Sequence, residues 1–249
     1  MDTPTLGLFL YHIMSNELLP PIKVAVLIDG GFFVKRFNSL YNKERKLTGE
    51  QVANALYAMA HKHVGNKNIL YRIFYYDCLP LDKKSQNPIS KKAIDFSKTT
   101  EYKFRTDLME ALKQKRKVAL RVGKLKDNGN WAIQPIATQN LLKKKITIDD
   151  LTEDDVFLSV QQKGVDMKIG VDIATLALKK FVDCIVLFSG DSDFVPAAKL
   201  ARREGIDFIL DPMMANVEPQ LFEHIDGLKS VSPYPAKEEK KKKQKNKKK

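Results

Sequence analysis

The chain has 249 residues, enough for one medium domain with appendages or one domain carrying an insertion. Its 43% hydrophobic content supports a packed core and excludes wholesale disorder, while a formal charge of +13 suits a polyanionic partner. No apolar run approaches the roughly 20 residues that cross a bilayer, so an integral membrane protein of the helical kind is excluded.

The N-terminal stretch Leu6 to Ile13 is apolar but short. No basic region or small-residue cleavage site frames it, so residues 1–20 read as an extension rather than a signal peptide, and Met14 is an alternative start. Lys23 to Ile28 is a continuous apolar run closed by Asp29-Gly30-Gly31, the pattern of a buried parallel strand turning into a helix near Phe32. Glu50 to His63 has helical spacing, and Ile69 to Tyr76 reads as a second strand. Lys103 to Lys117 reads as a basic helix and Val118 to Leu125 as a strand. Asp127-Asn128-Gly129-Asn130 is a turn signal, with Trp131 to Ile136 expected to pair back as a hairpin arm.

Beyond Ile148 the alternation becomes regular. Asp166 to Phe181 is a predicted helix, Cys184 to Phe188 a buried strand and Phe194 to Glu204 a helix. Ile206 to Leu210 is a strand, followed by a helix around Pro219 to Ile225. Alternating strands and helices predict a parallel sheet covered on both faces. The main domain is expected over residues 21–235, with residues from about 82 to 148 an insertion or elaborated edge. Residues 236–249 are expected to be a disordered lysine-rich tail. Lys237 to Lys249 holds nine lysines against two glutamates, so +7 of the charge sits there and +6 on the rest. Such a tail is either a solvated end or a tether for nucleic acid. Cys78 and Cys184 lie in apolar runs and read as buried small hydrophobes, in keeping with a reducing cytoplasm.

Open parallel sheets place ligands beyond the carboxyl ends of their strands. Two strands end in acidic loops there, at Asp29 and at Ser189-Gly190-Asp191-Ser192-Asp193. Lys163-Gly164-Val165-Asp166 opens the preceding helix, and Asp172 lies about 120° from Asp166 around its axis. Singly, each aspartate has a plain structural reading: Asp29 a turn, Asp166, Asp191 or Asp193 a helix cap. Jointly they crowd one sheet edge, where their repulsion needs protons or a cation. Hard cations such as Mg²⁺ or Mn²⁺ prefer carboxylate and water oxygens, and in a one- or two-metal site they support phosphoryl chemistry.

These residues resemble the NYN family, the LabA-like branch of the PIN-like nucleases. The similarity rests on KVAVLIDGGFF (Lys23 to Phe33), QKGVDMKIGVDIATLA (Gln162 to Ala177) and CIVLFSGDSDFVPAAKLARREGIDFIL (Cys184 to Leu210). The resemblance implies a Rossmann-like, PIN-type α/β/α sandwich with a mostly parallel central sheet. It also implies divalent-metal-dependent cleavage of RNA, with Asp29, Asp166, Asp191 and Asp193 as metal-binding carboxylates and Asp172 as a supporting acid. Many relatives carry an asparagine three positions after the first aspartate, where this chain has Phe32. Ser189 and Ser192 are the polar groups at hand to replace it.

Lys113, Lys115, Arg116 and Lys117, with Arg105, Arg121, Lys124 and Lys163, are candidates for tracking a phosphate backbone, or else a solvated basic face. His61 and His63, two apart on a helix, favour a surface role over a zinc site. Tyr71, Tyr75 and Tyr76 favour packing over base stacking, and Arg202 and Arg203 read as surface charges. No Walker A loop, GxGxxG fingerprint or nucleophilic triad is present. The leading expectation is therefore a cytoplasmic ribonuclease, an endonuclease using one or two Mg²⁺ or Mn²⁺ ions on RNA, with a homo-oligomer left open. The alternatives are a catalytically weak RNA-binding or regulatory module, a DNA nuclease, or a phosphatase.

Overall fold

A computed structural model describes residues 20–44 and 46–234. The expected N-terminal extension, up to residue 19, and the lysine tail lie outside the described residues. Among the described residues, nine strands form two sheets. The larger has the order β6-β5-β2-β1-β7-β8-β9, closed by β8 (Asp207–Asp211) and the two-residue β9 (Gly227–Leu228), and the smaller pairs β3 (Lys84–Gln86) with β4 (Ala93–Asp95).

β1 (Lys23–Asp29) lies at the centre, hydrogen-bonded in parallel to β2 (Ile69–Cys78) on one side and β7 (Cys184–Phe188) on the other. Its apolar run is continuous because both faces are covered. Val24, Val26 and Ile28 face one helical layer, and Ala25 and Leu27 face the other. The first layer holds α1 (Gly30–Tyr41), α2 (Gly49–Val64) and α3 (Thr100–Lys113). The second holds α5 (Val165–Leu178), α6 (Val195–Arg203) and the short α7 (Pro219–Phe222). The result is the α/β/α sandwich expected from the sequence.

Burying each large apolar side chain of these layers stabilises the fold by about 1.5–3 kcal/mol, and Phe33 and Phe37 of α1 add a ring stack at 5.5 Å. Helix α2 is opened by a reciprocal cap. The Thr48 hydroxyl accepts from the Gln51 N–H while Gln51 Oε1 accepts from the Thr48 N–H.

Three expectations need correcting. The turn signal at 127–130 does not reverse the chain. β5 runs unbroken from Val118 to Ile133, and β6 (Val156–Lys163) pairs antiparallel with it on both sides of an irregularity between Asp127 and Trp131. One long partner strand therefore outweighs a local turn preference. Second, His63 is not a surface residue: its side chain is fully buried against Asp211, whereas His61 is exposed and lies edge-on to Tyr57. Third, Gly164, at φ +78°, is the cap of α5, and Asp166 sits one residue inside the helix.

The stretch 82–148 divides in two. Helix α3 and the first half of β5 form a regular crossover from β2, with Cys78 opposite Gly123. The β3–β4 ribbon, the outer half of β5 and the helix α4 (Pro135–Leu142) form material outside the regular alternation. Cys78 and Cys184 are buried free thiols. Among the described residues no helix is long and apolar enough to cross a membrane.

Candidate functional site

The sheet order changes direction at β1. From there the chain builds outward through β2, β5 and β6, then returns through α5 to β7 on the other side. The crevice beyond the carboxyl ends of β1 and β7 is thus the topological switch point, where such sheets bind ligands.

Asp29 is the last residue of β1 and the N-cap of α1, accepting from the Phe32 N–H at 3.0 Å. The sharp exit requires Gly30. A Cβ there would lie 2.6 Å from the Tyr75 ring and 2.7 Å from the Tyr76 carbonyl oxygen, whereas one at Gly31 would meet nothing closer than 3.5 Å. Burial pushes the Asp29 carboxyl up to about 6. The Phe32 N–H opposes that shift, and the charges of Asp166 and Asp77 add to it.

Asp166 enters from the start of α5, because the left-handed turn at Gly164 swings the chain from β6 into that helix. Its carboxyl is also raised, first by burial and then by Asp191 and Asp193. Asp191 and Asp193 come from the loop after β7. There Asp191 Oδ1 accepts from the Asp193 N–H at 2.9 Å and caps a single helical turn, Ser192–Phe194. The plain structural roles of Asp29 and Asp191 are therefore real, and each uses one carboxylate oxygen. Phe32 closes one wall, its ring so near Gly190 that a Cβ there would lie 3.1 Å away.

Asp172 stands apart from these four. Its Oδ2 accepts from the Tyr76 hydroxyl at 2.8 Å and from Arg121 Nε at 2.9 Å. Sequence reasoning passed over Asp77, although it closes an apolar strand on the same edge, the signal that picked out Asp29. Asp77 is 2% exposed and accepts from the Tyr75 hydroxyl, Arg105 Nη1, the Cys78 N–H and Gln162 Nε2. A division of charge results. Asp77 and Asp172 each hold an arginine, whereas among the described residues no cationic side chain lies within ion-pair distance of Asp29, Asp166, Asp191 or Asp193.

Uncompensated carboxylates in a partly desolvated crevice fit a hard divalent cation in chemistry. Among the described residues, however, no three acidic, histidine or cysteine side chains already converge as a ligand group.

The basic candidates separate by edge. Lys163 lies opposite Lys124 where β5 and β6 reach the carboxylate edge. Arg121 and Arg105 are committed to Asp172 and Asp77, with Glu101 a second partner of Arg105. Lys113, Lys115, Arg116 and Lys117 cluster between α3 and the start of β5, at the opposite edge of the sheet. Lys113 there pairs with Glu110, Lys115 donates to Asn54, and Lys117 donates to the Leu70 carbonyl. Tyr75 and Tyr76 are buried and Tyr71 stacks on Phe181, so all three pack as expected. Arg202 is paired with Asp226.

Comparison with known proteins gives one family match: residues 101–218 fit the model of the NYN domain. That span includes α5 and the loop after β7 and leaves out β1 with Asp29. No curated protein matches the chain. Among solved structures, a protein of unknown function from Vibrio parahaemolyticus is 14% identical, with a TM-score of 0.45 over 85% of this chain and 94% of that one. A Sir2 enzyme is 12% identical, with a TM-score of 0.34 over 86% and 88%. Both likenesses are too weak to bear on this chain's activity.

Proposed function

We propose that this chain, whose residues 101–218 fit the model of the NYN domain of the PIN-like nuclease superfamily, is a metal-dependent ribonuclease cutting within RNA at the Asp29, Asp166, Asp191 and Asp193 crevice. One observation carries the reading: among the described residues, four carboxylates from three separate segments at the switch point have no cationic side chain within ion-pair distance, while their neighbours Asp77 and Asp172 each have one.

Asp29, Asp166 and the free oxygen of Asp191 would hold Mg²⁺ or Mn²⁺, with Asp193 beside them. A bound divalent ion supplies polarisation of a phosphoryl oxygen and activation of water. Asp193, exposed beside those ligands, suits the acceptance of a proton from attacking water, and Asp166 is the second candidate. Phe32 narrows the crevice and excludes water from one side. Lys163 and Lys124 flank the same edge and suit the phosphates of the strand on either side of the cut.

The test is Asp191→Asn, which keeps an oxygen to cap the turn and removes a charge. Wild type should cut single-stranded RNA with Mn²⁺ or Mg²⁺ and stop in EDTA, and the variant should lose at least a hundredfold in rate with an unchanged circular-dichroism spectrum. Equal cleavage by both proteins, or cleavage in EDTA, refutes the mechanism.

A second reading has its own support. Phe32 stands where a polar group is expected, and the carboxylates are not drawn into a ready ligand set, which favours an RNA-binding or regulatory module with weak catalysis. Salt-sensitive RNA binding, indifferent to Asp191→Asn and without cleavage, is its signature.

A further inference from the structure

Beside the carboxylate crevice lies a cavity of about 510 Å³ that the reaction outlined above does not use. Its walls come from the loop after β2, the turn before α3 with the first turns of that helix, and the ribbon of β5 and β6. Leu79, Pro80, Phe96, Tyr102, Leu158 and Val160 line it, and its floor is Asp77, Arg105 and Gln162. We infer that this cavity is a nucleobase subsite, holding one unstacked base of the RNA next to the phosphate presented to the aspartates. The inference rests on the nuclease reading and adds a substrate-recognition site to it.

Three observations converge on that occupant. The first is position. A Cβ on Gly31 would lie 3.5 Å from Gln162 Oε1 and 3.5 Å from Asp29 Oδ1, so the Gln162 amide stands at the boundary between cavity and crevice. Asp77 on the floor is close enough to add to the raised Asp29 carboxyl.

The second is charge. The Arg105 guanidinium donates to Asp77 at 2.8 Å and to Glu101 at 2.8 Å. The guanidinium is therefore shared between two carboxylates, so among the described lining residues no cation is left for a phosphate, and the group that enters carries no negative charge. The third is shape and polarity. Apolar and aromatic walls with one amide at the end match a flat ring with a hydrogen-bonding edge, and the volume lies in the range of small-ligand sites. The Gln162 Nε2 uses one N–H on Asp77 at 3.2 Å. That leaves a second N–H and Oε1 to address a base edge.

The experiment uses full-length wild type, Val160→Trp to fill the cavity from an exposed strand position, and Gln162→Leu to remove the amide. Each is assayed on an RNA oligonucleotide and on copies carrying a single abasic nucleotide at successive positions around the cut. Wild type should lose about tenfold in kcat/KM at one abasic position. Val160→Trp should lose about tenfold on ordinary RNA, and its difference from wild type should vanish at that same position. Gln162→Leu should change the preference among the four bases there. Indifference of wild type to every abasic position, or of both variants to all substrates, overturns the subsite and leaves the cavity to an apolar peptide.

Should wild type cut nothing, the nuclease reading fails and the cavity is read separately, by titration of the four free nucleosides. Saturable binding lost in Val160→Trp upholds the subsite, and no binding overturns it.

Discussion

His63 Nε2 meets Asp211 Oδ2 at 2.9 Å, and neither side chain is reached by solvent. Asp211 also accepts from the Met213 N–H at 2.8 Å and the Val231 N–H at 3.2 Å, so one carboxylate ties α2 and the end of β8 (Asp207–Asp211) to the chain beyond. The remaining ring nitrogen, His63 Nδ1, is buried without a partner among the described residues.

Removing Asp211 strands three buried donors. Asp211→Ala should cost about 3–5 kcal/mol in urea denaturation, the range for breaking a buried pair from one side. Asp211→Asn, which retains one acceptor, should cost less. Equal stability of Asp211→Ala and wild type would show that water replaces the carboxylate.

The two glycines after Asp29 should respond differently. Gly30→Ala drives a methyl group into the Tyr75 ring and the Tyr76 carbonyl, displacing the tyrosine hydroxyl that donates to Asp77. About 2 kcal/mol or more is expected. Gly31→Ala has ordinary contacts and a helical setting, so its melting temperature should stay within a few degrees of wild type or rise.

The raised Asp29 carboxyl makes stability depend on pH. Between its ordinary value near 3.8 and its folded value of about 6, the folded chain retains a proton that the unfolded chain has released. Stability therefore falls as pH rises through that window and stays lowered above it, by about 3 kcal/mol for a shift of this size. Asp29→Asn keeps the cap on Phe32 and removes the titration. In EDTA it should match wild type near pH 3.5 and exceed it at pH 7. Mn²⁺ at pH 7 should stabilise wild type more than the variant, whose crevice offers the cation one carboxylate fewer.

RNA affinity should report which basic residues face the strand. Lys163→Gln should reduce the slope of log affinity against log salt by about 0.7 to 1. Substituting Gln at Lys113, Arg116 or Lys117 should leave that slope unchanged, since those residues occupy the opposite edge. A reversed result would move the strand to the other side of the sheet.

Much of the crevice can be read from the chain because its signals are local. An apolar run closed by Asp29 and two glycines, or by the loop to Asp193, names both a buried strand and its carboxyl end, the edge where open parallel sheets bind ligands. The β5–β6 ribbon resists such reading. β6 alternates weakly, with Gln161, Gln162 and Lys163 exposed, and its pairing with β5 is a long-range choice that overrides the turn residues at 127–130. The commitment of Arg105 and Arg121 to Asp77 and Asp172 is likewise invisible in one dimension, since each pair joins residues far apart in the chain. Burial of His63 escapes the spacing argument because its partner comes from β8.

The order of the sheet also sets where the chain can be cut. β1 and β2 both precede residue 101, yet they lie side by side in the middle of the sheet, between β5 on one flank and β7 on the other. A fragment trimmed to the family match would keep the two flanks and lose the strands that join them. It would expose two unpaired edges and half a core, a recipe for inclusion bodies rather than a minimal enzyme. Expression from residue 20 onward retains both central strands, and with them Asp29.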